Sequence, residues 1–332
     1  MADAEPDAGP VVGTAQIATV EAGGHTLPSP EPGVELSAAD AHGMGGEAKS
    51  QARIVLGRFL QQRLAVTGVI VFAGLGIASV VAGHFWTDTY TTITNNLNDP
   101  PSLTNPFGTN SIGNDMFAQV MRGVEKDIQI ALTVAAMATL IGATVGAISG
   151  FYRGWVDSFL MRLVDLVLVV PILAVLIVLA HKLATESSSW LGLAIIIGLL
   201  SWTYVARLVR ADFLSLRERD FVEAAKALGA TNRRIIIRHM LPNAIGPIIV
   251  NATLTVAGSI VLESTLSFLG LGVQPPDVSL GLLVSQGQDS ATTEWWLFVF
   301  PVAFLVILIL SIFLIGDGIR EAFDPKKSRV RA

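Results

Sequence analysis

Cysteine is absent from the 332-residue sequence, which excludes disulfides, thiolate metal sites and cysteine nucleophiles. Charge is scarce too: 15% of residues are Asp, Glu, Lys or Arg, against about 25% in soluble domains. Lys and Arg are missing altogether from residues 1–48, which carry eight acids. That segment is rich in Ala, Gly and Pro, shows no apolar periodicity and lacks the basic start and apolar core of a signal peptide. It cannot bury enough surface to offset chain entropy, so it is expected to be disordered. The net charge of −5 arises there; beyond it, 22 basic residues face 19 acidic ones. Catalytic patterns are wanting as well. The five histidines (His25, His42, His84, His181, His239) are scattered, and neither HExxH, GxSxG nor an acid cluster with metal spacing occurs. Gly43-Met-Gly-Gly-Glu-Ala48-Lys49-Ser50 approaches a phosphate-binding loop, but Ala48 replaces its second glycine and no strand precedes it.

What is abundant is apolar: 52% of the residues, with a mean hydropathy of +0.59. A bilayer core needs about 20 mostly apolar residues per helix. Six stretches meet this, near 63–83, 127–150, 160–182, 190–210, 243–264 and 296–316. The expected fold class is therefore an all-α polytopic membrane protein with six transmembrane helices. With the N-terminus in the cytoplasm, 19 Lys/Arg fall inside and three (Arg122, Lys126, Lys182) outside. The positive-inside rule then makes both termini and the 211–242 loop cytoplasmic. External segments are expected at 84–126, 183–189 and 265–295, with Phe85, Trp86, Trp190, Trp295 and Trp296 as interfacial anchors. The domain reading is a tail at 1–48, a first helix with its external loop at 49–125, a five-helix core at 126–318 and a basic tail at 319–332.

Within the 211–242 loop, Asp220–Leu228 reads as a short helix. Asp220 is expected to cap its first turn, with Glu223 completing a capping box, and Gly229 to supply a left-handed stop. Phe221, Ala224, Ala225 and Leu228 fall at i, i+3, i+4 and i+7, forming one apolar stripe. A helix this short is marginal alone, so something must hold it, and its small residues permit close approach by a partner. The alternative is an amphipathic helix lying on the bilayer, for which a stripe with two alanines and no Trp is weak.

Glu223-Ala224-Ala225, Gly229 and Leu241-Pro242, spaced EAA-x3-G-x11-LP, resemble the EAA loop of binding-protein-dependent ABC importer permeases. His239 stands where that family usually has Ile, and Arg238–Asn243 is similar to the dipeptide/oligopeptide/nickel branch. Asn105-Pro-Phe-Gly-Thr-Asn110-Ser-Ile-Gly-Asn114-Asp115 resembles an external segment of the C-type subunit, with Asn105, Asn110 and Asn114 in place of His, Asp and Arg. Leu262-Glu263-Ser264 and Leu266 to Pro276 match the fifth span and its following loop, while Leu280-Gly281 replaces a usual Trp-Gly pair. The resemblance covers about residues 50–325. It implies a type I ABC importer permease fold in a bacterial inner membrane. It further implies a coupling helix, drawn from Asp220, Phe221, Glu223, Ala224, Ala225, Leu228, Gly229, Leu241 and Pro242, that docks on an ATPase subunit. ATP and Mg would bind that ATPase, leaving this chain without a cofactor. The other implied partners are a second related permease subunit and an extracellular peptide-binding receptor, besides membrane lipid; nucleic acid is not among them. The implied cargo is a dipeptide or oligopeptide, with nickel or another small solute as the alternative.

Acids inside spans are costly unless paired or wet. Asp165 lies three residues after Arg162, a spacing for a local ion pair. Glu263 has no basic residue at helical spacing; it is placed either on the pathway or at the surface, and with Ser264 is a candidate pathway or gate residue. Gly142, Gly146 and Gly150 recur as a close-packing face, within the subunit or against a partner. Pro171 and Pro247 are candidate bends. Two other function classes compete: an intramembrane enzyme needs polar catalytic residues at matching depth in two spans, and a secondary transporter is expected to show an internal repeat. Neither pattern is evident.

Overall fold

The computed structural model describes residues 51–86, 88–186 and 190–324. The expectations for the 1–48 tail, for Gly43–Ser50 and for the basic residues after 324 lie outside them, as do the side chains of His181 and Lys182. Ten helices are assigned among the described residues: α1 (Gln51–Leu60), α2 (Arg63–Phe85), α3 (Met116–Tyr152), α4 (Gly154–Val169), α5 (Ile172–Glu186), α6 (Trp190–Arg217), α7 (Asp220–Ala227), α8 (Asn232–Phe268), α9 (Leu280–Gly287) and α10 (Trp296–Phe323). Five of them, α2, α3, α6, α8 and α10, are long and apolar enough to cross a bilayer.

The expected third span is not one helix. It breaks at Pro171 into α4 and α5, which meet at 75° and make a sixth crossing only if taken together. The cause is local: Val170 is extended (φ −78°, ψ 127°), the conformation that a following proline imposes. Pro247, by contrast, sits inside α8 without a break. Helices also overrun the apolar runs that announced them. Helix α3 begins at Met116, so the expected domain boundary at 125/126 falls inside a helix. Nor is the first span a separate unit: Gly68 of α2 lies against α10, where a Cβ would come within 2.7 Å of the Ser311 carbonyl oxygen.

The principal seam joins α3 to α6. A Cβ on Gly142, Gly146 or Gly150 would lie 2.6 Å from Val205 Cβ, 2.9 Å from Val209 Cβ and 2.6 Å from Phe213 Cβ, respectively. The every-fourth-residue glycines thus let two backbones approach inside this chain.

Residues 88–115 form an irregular loop in which several polar side chains bond one another or the backbone. Asn105 Nδ2 donates to Asp115 Oδ2 at 2.7 Å, Asn114 Nδ2 to the Thr92 carbonyl at 2.9 Å, and Asn110 Oδ1 accepts from the Asn114 amide at 2.8 Å. Asp115 Oδ1 in turn caps α3 by accepting from the Ala118 amide. The three asparagines are internal struts of the loop. Trp295 is half-exposed, but Trp296 is not the expected interfacial anchor: it is buried and its Nε1 donates to the Thr109 carbonyl at 3.2 Å.

Candidate functional site: the α7 loop

Helix α7 spans eight residues, about 12 Å. Its N-cap is Arg219 (φ −89°, ψ 145°), and no side chain caps the turn. The expected capping box is therefore absent: Asp220 is already the first helical residue, one position too late to cap. Asp220 and Glu223 instead place negative charge on the first turn, where the helix dipole favours it.

The other end matches a Schellman stop in every bond. Gly229 adopts φ 75°, the Ala230 amide donates to the Ala225 carbonyl at 3.0 Å, and the Gly229 amide donates to the Lys226 carbonyl at 2.9 Å.

The faces of α7 divide differently from the expected single stripe. Val222 and Ala225 are buried in an apolar cluster with Phe151 of α3, Phe213 of α6, and Ile235, Met240 and Ala244 of α8. Ala225 is thus an anchoring residue, turned away from the outer face. Phe221, Ala224 and Leu228 remain exposed, Leu228 at 88%. The helix is held from behind and bare in front.

Helix α8 contributes to that anchorage through a π-helical turn at Ile235–Met240, closed by the Leu241 amide donating to the Ile236 carbonyl. Residues five apart share a face in such a turn, and Ile235 and Met240 both have 0% exposure. Leu241 packs on the same cluster, while Pro242 is exposed. Polar ties brace the surroundings. Arg210 of α6 clasps Asp157 of α4 through two bonds of 2.6 Å, Ser149 bonds the same carboxylate, and Arg217 Nη1 donates to the Phe151 carbonyl at 2.7 Å. Arg153 pairs with Glu218 at 2.7 Å.

Glu263 and Ser264 lie far along α8 and are not brought to this loop. Neither reaches the surface or an open cavity: they are 0% and 8% exposed. Glu263 Oε1 accepts from Ser267 Oγ at 2.6 Å, and Ser279 Oγ donates to Ser267 Oγ at 2.9 Å. The Asp127 carboxyl lies alongside. Their place is the packed junction of α3, α8 and the segment leading into α9, which corrects the pathway-or-surface expectation. Asp165 pairs across helices with Arg207 of α6 at 2.5 Å, not locally with Arg162.

An open cavity lies elsewhere. A groove of about 600 Å³ runs between the α4–α5 break, α6 and α8, and Asn251, Thr255 and Ser259 line it at successive turns of α8. Sequence reasoning passed over these three, although polar residues at i, i+4 and i+8 within an apolar span were a visible signal. Among the described residues, no group of three or more His, Asp or Glu is placed to hold a metal.

Residues 142–329 match the model of a family described as binding-protein-dependent transport system inner membrane component. The oligopeptide transport system permease protein OppC of Mycobacterium tuberculosis is 40% identical over 286 residues, covering 86% of this chain and 98% of that one. A putative peptide permease protein of Brucella suis is 39% identical over 273 residues, covering 81% and 89%. In fold, an inward-facing crystal form of the MetNI methionine ABC transporter aligns with a TM-score of 0.52 at 20% identity, over 63% of this chain and 98% of that one. Taken with the spans and the 142–329 match, these relations establish that the chain belongs to the family of inner-membrane components of binding-protein-dependent transport systems, the permeases of ABC importers.

Proposed function

We propose that this chain is one permease subunit of an ATP-driven peptide importer, and that α7 is the element through which it receives motion from an ATPase subunit. The observation that carries this reading is the two-faced α7. An eight-residue helix with exposed Phe221, Ala224 and Leu228 and a locked opposite face is built to enter a groove on another protein. Glu223, Gly229, Leu241 and Pro242 then serve the shape of that element rather than any chemistry. ATP and Mg bind the ATPase, and a second permease subunit completes the pathway. A receptor on the far side delivers peptide; the names of the relatives support that cargo. The charge bias of the sequence supports placing the α7 end and both termini in the cytoplasm.

The test is to replace Leu228 with Glu in the assembled transporter. At 88% exposure the change costs little folding stability. The variant is expected to reach the membrane in normal amounts and to lose ATPase co-purification and peptide uptake. Retention of both at wild-type levels would refute the docking role of α7.

A further inference from the structure

The groove between the α4–α5 break, α6 and α8 has a chemical character of its own. None of its lining residues carries a charge. Most of the wall is aliphatic, including Leu166, Val170, Leu200 and Leu254. One polar group in it stands out. Asn251 is 5% exposed, lies about 15 Å into the helix from Leu241, and lines the cavity. Among the described residues its carboxamide has no hydrogen-bond partner. The carboxamide opens onto the groove rather than being sealed in the core, so it is free to hydrogen-bond whatever enters there. The hydroxyls one and two turns further on are already committed as donors: Thr255 Oγ1 to the Asn251 carbonyl at 2.9 Å, Ser259 Oγ to the Thr255 carbonyl at 2.8 Å. Ser201 of α6 does the same toward the Ile197 carbonyl at 2.7 Å. Each keeps lone pairs free to accept, so the groove offers one amide, the Thr203 and Tyr204 hydroxyls, and several further acceptors.

A second observation bears on what fills it. Asp165, adjacent to the lining residue Leu166, pairs with Arg207, one turn from the lining residue Thr203, and both side chains are about half exposed, at 54% and 52%. Half-exposed charges facing hydrocarbon are strongly disfavoured. This face therefore meets water or protein, and an acyl chain has nothing to offer Asn251.

We propose that the groove is a subsite for the backbone of the transported peptide, in which the Asn251 carboxamide exchanges hydrogen bonds with a peptide amide. This rests on the peptide-importer reading above. An amide is the group every peptide shares, and it matches a carboxamide in both donor and acceptor. The uncharged apolar wall tolerates varied side chains without selecting for charge.

The experiment uses the complete transporter with its receptor in proteoliposomes, with short alanine peptides and their backbone N-methylated analogues as probes. Asn251→Leu is expected to keep thermal stability and ATPase association, to lower alanine-peptide uptake about ten-fold, and to erase the wild-type preference for unmethylated over N-methylated peptide. Thr255→Val, which removes an acceptor, is expected to lower uptake less. Wild-type uptake by Asn251→Leu, or an unchanged preference, would overturn the proposal and leave the groove to lipid or to the second subunit. Failure of Asn251→Leu to fold would overturn it too, by making the amide structural. If the wild-type complex imports no peptide, the importer reading itself fails, a distinct result from an indifferent Asn251.

Discussion

Gly229 is where backbone geometry, rather than any contact, is expected to decide coupling. Its φ of 75° lies in the left-handed region, and a Cβ built there meets nothing within 4 Å. Any effect of a substitution is therefore conformational. For an L-residue the left-handed conformation costs roughly 1–2 kcal/mol, and a β-branched side chain is worse placed still. That range corresponds to a factor of about 5–30 against the closed stop. At stake are the two bonds that end α7 and set the direction of Leu228.

Three variants separate geometry from contact. Gly229→Asn is expected to be nearly silent, because Asn tolerates the left-handed region. Gly229→Ala should reduce uptake and receptor-stimulated ATPase by about 5–30-fold if coupling follows the population of the closed stop. Gly229→Val should reduce both further. Membrane insertion and detergent melting temperature should be unchanged in all three, since the position is exposed. Equal damage by Asn and Val would refute the reasoning, because it would require the missing space rather than the missing conformation. Wild-type coupling by Val would refute it as well.

Two further outcomes follow from the packing. Gly146→Val forces a branched side chain between α3 and α6, where even a Cβ would sit 2.9 Å from the Val209 Cβ; overpacking costs about 1–3 kcal/mol or more, and a lowered melting temperature measures it. Gly258→Ala, with open space at its Cβ, is the control and should melt as wild type. Pro171→Ala restores a backbone donor and frees Val170 to turn helical, so the 75° bend should open. Spin labels on cysteines introduced at the exposed positions Phe159 and Val178 should move apart, and the absence of native cysteine makes the labelling selective; an unchanged separation would show that packing, not proline, holds the bend.

What the sequence made legible was local, and what it concealed was long-range. Gly229 could be placed because a left-handed stop is a property of three or four consecutive residues. The α3 glycines could be recognised as a packing face, but their partner on α6 lies some 60 residues on. Asp165 shows the limit clearly: Arg162 offered a correct helical spacing, yet Arg207, 42 residues away, takes the carboxylate. Glu263 misled for the same reason, since Ser267 was near in sequence but Asp127 and Ser279 were not. The α7 stripe was half right because this helix carries apolar residues both on its packed face and on its exposed one. Periodicity then cannot tell Val222 and Ala225 from Phe221 and Leu228.

The distribution of packing indicates which parts move together. Helices α3, α6 and α8 bury 44%, 50% and 39% of their most apolar windows, and α7 is bolted to all three through Val222, Ala225 and the π turn. In the proposed coupling, a displacement at Leu228 passes through the Val222 and Ala225 packing to α8, the helix that also carries Asn251. Helix α4, by contrast, has Val164 as its one buried residue and is tied to α6 by the Asp157–Arg210 and Asp165–Arg207 pairs. The half-exposed Asp165–Arg207 pair holds weakly, whereas the bidentate Asp157–Arg210 clasp anchors the start of α4. The groove thus lies between the α6–α8 packing that holds α7 and a broken span clasped at its α4 start but sparsely buried beyond it. In the proposed coupling, relative motion of those two parts changes the width of the groove.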